Sequence, residues 1–417
     1  MCLSEPQAGS SLADVRSRAV FETDDPLGPR YRLTGTKMWI SGGDQDVSPT
    51  IHHLVLAKIA DADGKLPAGT HGLSLFIVPK HLPDSTRNDV VVAGLNHKMG
   101  YRGTSNCLLS FGEGTRFRPF GQAGAVGYLV GQPGQGLTIM FHMMNEARIG
   151  VGLGASALAL RAHALSVEYA RTRLQGRTDP AGMPVPIAAH PDIARQLTRQ
   201  KACAEAGLSF ILFCARLVDD RDSADSPEAR ALADRLLGLM TPAARTWASE
   251  WGLKANSIAI QIHGGYGYTR DFDVEQLYRD QRLNPIHEGT TGIQGLDFVG
   301  RKLLKEGGAG IEMLAARIAA TVTGGIGYRL GRRGAGTGWC LGAFPRRAPG
   351  VAGDWARRLG RLRNRGAGRV RDRGCGLDAA GSGAGGQPVG SPGMGRRTPH
   401  AGRVLLRIRA AARIALL

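Results

Sequence analysis

The hydrophobic period of this chain changes once, near residue 121, and that change constrains the fold more than any other feature. Segments 31–40, 53–59, 73–78, 90–92 and 106–111 are short apolar or alternating runs separated by Gly, Pro and Asp turns, the pattern of strands in a compact barrel or sandwich. Beyond a Gly-rich connector at 121–136, apolar residues recur at helical spacing over 137–173, 191–220, 227–263 and 290–320. Pro191 and Pro227 suit first helical turns, and Pro242 is expected to kink or restart the third helix with Thr241 as its cap. Four helices of this length favour an antiparallel bundle. The expectation is an α+β chain with a β-domain at 1–120, a connector at 121–136, a helical bundle at 137–322 and a tail at 323–417.

The tail dominates the charge. Residues 323–417 hold 19 Arg, no Lys, 3 Asp and no Glu, which is +16 of the chain's +18, so the first 322 residues are near neutral. Gly, Arg, Ala and Pro supply 61 of those 95 residues, and these are the types encoded by codons starting with two G or C bases. Out-of-frame reading of a GC-rich gene from about Thr323 is one expectation, and a basic arm that binds nucleic acid is its rival. In either case the tail is expected to be disordered. Its few aromatics, Tyr328, Trp339 and Phe344, lack the regular interleaving that base stacking uses. The six cysteines, Cys2, Cys107, Cys203, Cys214, Cys340 and Cys375, show no CxxC pairing, so neither a disulfide framework nor a metal site is expected and a reducing, cytoplasmic setting is. Residues 1–20 carry polar and charged groups where a signal peptide would be apolar. No uninterrupted apolar run reaches membrane-spanning length, although 403–417 is a short basic, apolar stretch.

The richest text for chemistry is Gln261-Ile-His-Gly-Gly-Tyr-Gly-Tyr268, then Tyr278-Arg-Asp-Gln-Arg-Leu283, then Pro285-Ile-His-Glu-Gly-Thr-Thr-Gly-Ile-Gln294. The Gly264-Gly265 pair ends a helical pattern and leaves bare backbone for close approach of a flat or phosphorylated cofactor. Gly289 frees the backbone at Glu288, Thr290 is an N-cap candidate, and Ile293, Leu296, Val299 and Leu303 follow at helical spacing. A carboxylate held at Glu288 can act as a base. The plainer alternative is a solvated residue favoured by the helix dipole. No Walker-type loop is present, and Gly152-Leu-Gly-Ala-Ser-Ala157 lies inside a helical pattern, where it reads as close helix packing.

In that order these motifs resemble the C-terminal signature of the acyl-CoA dehydrogenase family. Independently, Glu5-Pro-Gln-Ala-Gly-Ser10 and Tyr31-Arg-Leu-Thr-Gly-Thr-Lys-Met-Trp-Ile-Ser-Gly42 resemble the opening of that family's flavin-binding β-domain. Gly72-Leu-Ser-Leu-Phe-Ile-Val-Pro-Lys80, His97-Lys-Met-Gly100 and Met143-Met-Asn-Glu-Ala-Arg148 are similar to the branch acting on 3-methylthiopropionyl-CoA. The family's leading helical domain is expected to be absent here, since Met1 falls just before the first motif.

The resemblance implies an FAD-dependent dehydrogenase that takes the α-proton of an acyl-CoA onto Glu288, passes the β-hydrogen to the flavin as hydride, and hands electrons to an electron-transfer flavoprotein. It assigns Trp39, Ile40 and Ser41 to the isoalloxazine, Ser4 and Ser10 to a second flavin loop, and Arg173, Gln261, Gly264 and Gly265 to the pyrophosphate and adenosine across a dimer interface. Thr290, Thr291 and Gly292 would approach the flavin, and Gly289 and Arg148 the substrate. For Trp39 the alternative is a core strand aromatic, and for Arg148 a helix-surface ion pair. Some members carry the base immediately before the arginine that Arg148 matches; here that position is Ala147, and Glu146 is turned away by about 100°. Ser4 and Ser41 replace a more frequent Thr, and His287 a more frequent Tyr. A homodimer or homotetramer is implied, with neither nucleic acid nor membrane as partner. Two other readings stand beside the dehydrogenase: a DNA-binding flavoprotein of the same superfamily acting through the basic tail, and an inactive gene fragment.

Overall fold

The structure, a computed structural model, describes residues 1–327, with side chains as far as residue 321. The tail from 328, with Cys340, Cys375 and the 403–417 stretch, lies outside the described residues. Met1–Asp297 is one compact unit, and the chain from Phe298 onward belongs to another.

Seven strands build the first part: β1 (Arg18–Thr23), β2 (Arg30–Ser41), β3 (His52–Ile59), β4 (Leu73–Pro79), β5 (Val90–Leu95), β6 (Asn106–Phe111) and β7 (Ala125–Val130). Their order is β1-β3-β4-β7-β2-β6-β5, and β1 also pairs with β2. That extra pairing closes β1, β3, β4, β7 and β2 into a ring, so none of the five presents a free edge, and β6 and β5 extend from β2. Leu33, Val55, Phe76, Cys107 and Leu109 are among the fully enclosed side chains that fill the interior.

β7 corrects the expected connector at 121–136. Its text, Ala-Val-Gly-Tyr-Leu-Val, is flanked by glycines and does not alternate, because β7 sits mid-sheet between β4 and β2 and its first four residues are all buried. Gly127 serves packing there, since a Cβ would come within 2.6 Å of Leu33 Cδ1. β1 was also not anticipated, because only Ala19 of its six residues is fully buried.

The helical part contains α1 (Gly136–Thr172), α2 (Pro191–Asp222) and α3 (Pro227–His263), which pack on one another, and the short α4 (Val274–Gln281) and α5 (Thr291–Asp297), which pack on α3. Ser226 caps α3 by accepting from the Ala229 N–H, with Pro227 in the first turn. Of the expected kink or restart at Pro242, the restart does not occur: α3 continues through Pro242 as one helix, and Thr241 does not cap, its hydroxyl donating to the Leu237 carbonyl at 2.7 Å. Gly152 does serve helix packing, since a Cβ there would lie 2.2 Å from Ile211 Cδ1. Among the described residues only α1 is long and apolar enough to cross a membrane, and its buried face packs on α2, α3 and β4. Met140 and Met144 join the β4 residues Leu73 and Leu75 in one core cluster that ties the helices to the sheet.

The expected fourth helix over 290–320 is broken. α5 ends at Asp297, and beyond it, in the second unit, Glu306 and Gly307 take φ of 53° and 70° before α6 (Ala309–Gly327) begins. The Gly307-Gly308 pair lets the backbone leave helical geometry where the apolar spacing alone predicted continuity.

Candidate active site

Glu288 lies in the turn between α4 and α5, half-buried. Its φ is 53° and that of Gly289 is 87°. A residue with a β-carbon takes the left-handed conformation at a cost of about 1–2 kcal/mol, so the surroundings must impose it. Two buried side chains do so: Gln294 donates Nε2 to the Glu288 carbonyl at 2.9 Å, and Arg245 on α3 donates Nη2 to the His287 carbonyl. Thr290 caps α5, its Oγ1 accepting from the Ile293 N–H at 3.4 Å. The Thr291 hydroxyl is committed to Glu250 Oε1 at 2.6 Å, and Gly292 is exposed.

A polar chain links this turn to the β-domain. The loop after β5 docks on α4: the Tyr101 N–H donates to Asp280 Oδ1 at 2.5 Å, and Arg279 Nη1 to the Met99 carbonyl at 2.8 Å. The Tyr101 hydroxyl also hydrogen-bonds Asn284, whose Oδ1 is 3.3 Å from His287 Nε2. Burial, and the Arg245 cation beside it, push the His287 imidazole down to about 4, so it is neutral at physiological pH.

Arg148 is neither on the surface nor open to a ligand along its whole fork. It is 3% exposed, and its Nη1 donates to Asp297 Oδ2 at 2.8 Å, an enclosed ion pair that ties α1 to α5. Glu146 is exposed.

The β2 residues form a second group. The register between β2 and β6 slips between Lys37 and Ile40, and Trp39 within that bulge has φ 66°. Trp39 is therefore turned outward and is 59% exposed, which rules out a core aromatic, whereas the Ile40 side chain enters the sheet interior. Ser41 Oγ accepts from Asn106 Nδ2 at 3.0 Å. The loop bearing Ser4 is stitched to this strand, since Met38 N donates to the Ser4 carbonyl at 2.9 Å. The fully buried Lys37 donates to the Leu3 carbonyl (3.0 Å) and to Glu5 Oε1 (2.9 Å). Against the burial that would raise it, Lys37 and hydrogen bonds from Ser17 and Arg16 hold the Glu5 carboxyl down to about 2. Ser10 is exposed.

A third group lines an open cleft of about 650 Å³ where α1 and α3 end: Arg173, Gly264 and Gly265 with Tyr169, His263 and Tyr266. Gly264 ends α3 at φ 62°, ψ −135°, its N–H donating to the Gln261 carbonyl, and a Cβ on Gly264 or Gly265 would meet no atom within 4 Å. The Arg173 guanidinium lies over the Tyr266 ring at 5.6 Å, and Tyr169 stacks on His263 at 4.3 Å. Aromatic faces, a guanidinium and bare backbone suit a ring system carrying phosphate. Gln261 is exposed beside the cleft. No residue of the Trp39 group lines this cleft.

The sequence pattern did not single out Arg245, Asp297, Asn284 or Tyr101. Arg245 had a signal, a lone charge at a core position of α3 between Thr241 and Ser249; the others are defined only by distant partners.

Two models of one family match the chain: acyl-CoA dehydrogenase, middle domain, over residues 1–113, and acyl-CoA dehydrogenase, C-terminal domain, over residues 134–304. The chain belongs to the acyl-CoA dehydrogenase family. The middle domain of that family is thus the β-domain here, and the C-terminal domain begins just before α1. Among curated relatives, 3-methylmercaptopropionyl-CoA dehydrogenase of Ruegeria pomeroyi is 39% identical over 328 residues, 77% of this chain and 52% of that protein. The chain therefore spans about half the length of this relative. The Caenorhabditis elegans ACDH-11 structure in complex with C11-CoA has the same fold, with a TM-score of 0.66 at 24% identity over 77% of this chain and 49% of that one. An acyl-CoA dehydrogenase complexed with FAD from Bacillus anthracis is 29% identical, with a TM-score of 0.58 over 73% of this chain and 49% of that one.

Proposed function

We propose that this chain is the flavin- and base-bearing part of an FAD-dependent acyl-CoA dehydrogenase, with Glu288 as the base. The observation that carries the reading is the left-handed turn at Glu288, held by Arg245 and Gln294 inside the matched C-terminal domain. The residues present fit FAD: Trp39 offers an exposed indole, Arg173 a guanidinium, and Gly264 and Gly265 open backbone.

FAD, when bound, supplies the acceptor for the β-hydride. Glu288 takes the α-proton onto its carboxylate, so the Cα–H and Cβ–H bonds break, a C2–C3 double bond forms, and the two electrons leave with the hydride. The Glu288 N–H donates to the thioester oxygen and stabilises enolate charge. Trp39, Ile40, Ser41, Ser4 and Ser10 orient the flavin ring through the indole face and the hydroxyls and backbone of the bulge. Arg173, Gln261, Gly264 and Gly265 bind the pyrophosphate and adenosine of a second protomer's cofactor, so the working unit is a homo-oligomer. Thr290 and Gly292 approach the ring, Gly289 admits the thioester, and Thr291 acts by holding Glu250.

The relative named for 3-methylmercaptopropionyl-CoA supports that thioester as substrate. An electron-transfer flavoprotein is the proposed acceptor. The test is anaerobic addition of acyl-CoA thioesters to purified, FAD-loaded protein. Bleaching of the flavin, fastest with 3-methylthiopropionyl-CoA, is expected; retained colour with every acyl-CoA rejects the reading.

A further inference from the structure

Arg245 heads the fully enclosed side chains of the described protein by volume, and no step of the proposed reaction uses it. It sits on α3 against α1, where its Cα lies 3.5 Å from the place a Cβ on Gly152 would occupy. Enclosing a guanidinium costs several kcal/mol unless its donors are matched. Here the match is partial. Nη2 donates to the His287 carbonyl, while Nε and Nη1 are enclosed without a hydrogen-bond partner. Two influences oppose each other at this cation: burial and the Arg148 charge work against it, and the carboxylates of Glu288 and Glu250 favour it. A costly charge is thus spent on one backbone carbonyl, that of the residue immediately before Glu288.

That carbonyl opens the left-handed pair at Glu288 and Gly289. From the other side Gln294 holds the Glu288 carbonyl, so the peptide units on both flanks of the Glu288 Cα are gripped by enclosed side chains from α3 and α5. Fixing both peptide units fixes the direction of the Cα–Cβ bond between them, and hence the origin from which the carboxylate reaches out. Building on the reading of Glu288 as base, we propose that Arg245 is a positioning residue: it imposes the turn that aims Glu288, and its cation favours the charged form of the Glu288 carboxylate.

The experiment uses the full chain with Arg245→Ala and Arg245→Met, alone and with millimolar guanidinium chloride. Hydrogen exchange is followed by mass spectrometry without substrate. Peptides covering 283–292 should exchange about tenfold faster in Arg245→Ala while α2 peptides are unchanged, and guanidinium should slow them again. In flavin reduction the same variant should lose about 100-fold in kcat with KM little changed, and guanidinium should restore part of the loss. Arg245→Met, which fills the space without a charge or donor, serves if the alanine variant does not fold, and should show both losses. Exchange at 283–292 equal to that of the unsubstituted protein overturns the proposal, as does exchange raised throughout the bundle that guanidinium does not slow. If the unsubstituted protein bleaches with no acyl-CoA, the dehydrogenase reading falls while the exchange measurement still decides the role of Arg245.

Discussion

Lys37, fully enclosed in β2, holds its ammonium 2.9 Å from Oε1 of Glu5 in the N-terminal loop. The pair joins two segments that each carry proposed flavin contacts, Ser4 and Ser10 on one side and Trp39 on the other. Removing one member leaves the other charge enclosed and unmatched. Glu5→Gln should lower stability by about 3–5 kcal/mol, and the double change Glu5→Gln with Lys37→Met should recover a substantial part. Urea denaturation measures both; a single variant as stable as the parent rejects the coupling.

The same carboxylate sets an acid limit. Its folded value near 2 lies below the ordinary value of 4.5, so its contribution is present above about pH 4.5 and is lost as pH falls through 2. Stability measured from pH 5 to pH 2 should fall less steeply in the double variant than in the parent.

His53 and His287 act in a higher window. Burial is the main cause that lowers each from 6.5 to about 4, with nearby positive charge adding to it. Their unfolded forms bind protons first, so stability is complete above pH 6.5 and falls as pH drops toward 4, by about 1.4 kcal/mol per pH unit for each histidine. In His287→Phe the slope of denaturation free energy against pH should lose one such contribution.

Glu288→Gln preserves shape and removes the proposed base. Flavin reduction should slow by at least about 100-fold with FAD content and melting temperature unchanged. A variant reducing flavin at the parental rate would assign the base elsewhere.

Gly264→Ala tests the cleft. A Cβ there meets no atom, but φ 62° with ψ −135° is open essentially to glycine. The change should cost about 1–3 kcal/mol from backbone strain alone and loosen FAD, seen as a lower melting temperature and faster loss of flavin on dilution.

Strands β2 to β6 and the three long helices could be read from the sequence, the strands as short apolar or alternating runs set off by turn residues and the helices as apolar residues recurring every three or four positions. β7 could not, because its short apolar text is interrupted by Gly127 and flanked by Gly121, Gly124 and Gly131, which read as a connector. The broken fourth helix escaped for the converse reason: apolar spacing persists across Gly307 and Gly308, while the backbone there leaves the helix. At the site, Glu288 and the Gly264-Gly265 pair were visible because local chemistry marks them. Arg148, assigned to the substrate by the resemblance with a helix-surface ion pair as the alternative, proved to be enclosed with Asp297, a partner 149 residues away.

By itself the sequence determined the strand-to-helix order, the near-neutral first 322 residues and the family motifs with their carboxylate, since each depends on neighbours within a few positions. Only the tertiary structure decided that Trp39 turns outward at a bulge, that Glu288 adopts a left-handed backbone, and that Arg245 grips the carbonyl before it. Those outcomes depend on matching enclosed charges and carbonyls with partners remote along the chain, 42 residues in the case of Arg245 and His287. Packing brings such partners together, and no local pattern encodes which of them will meet.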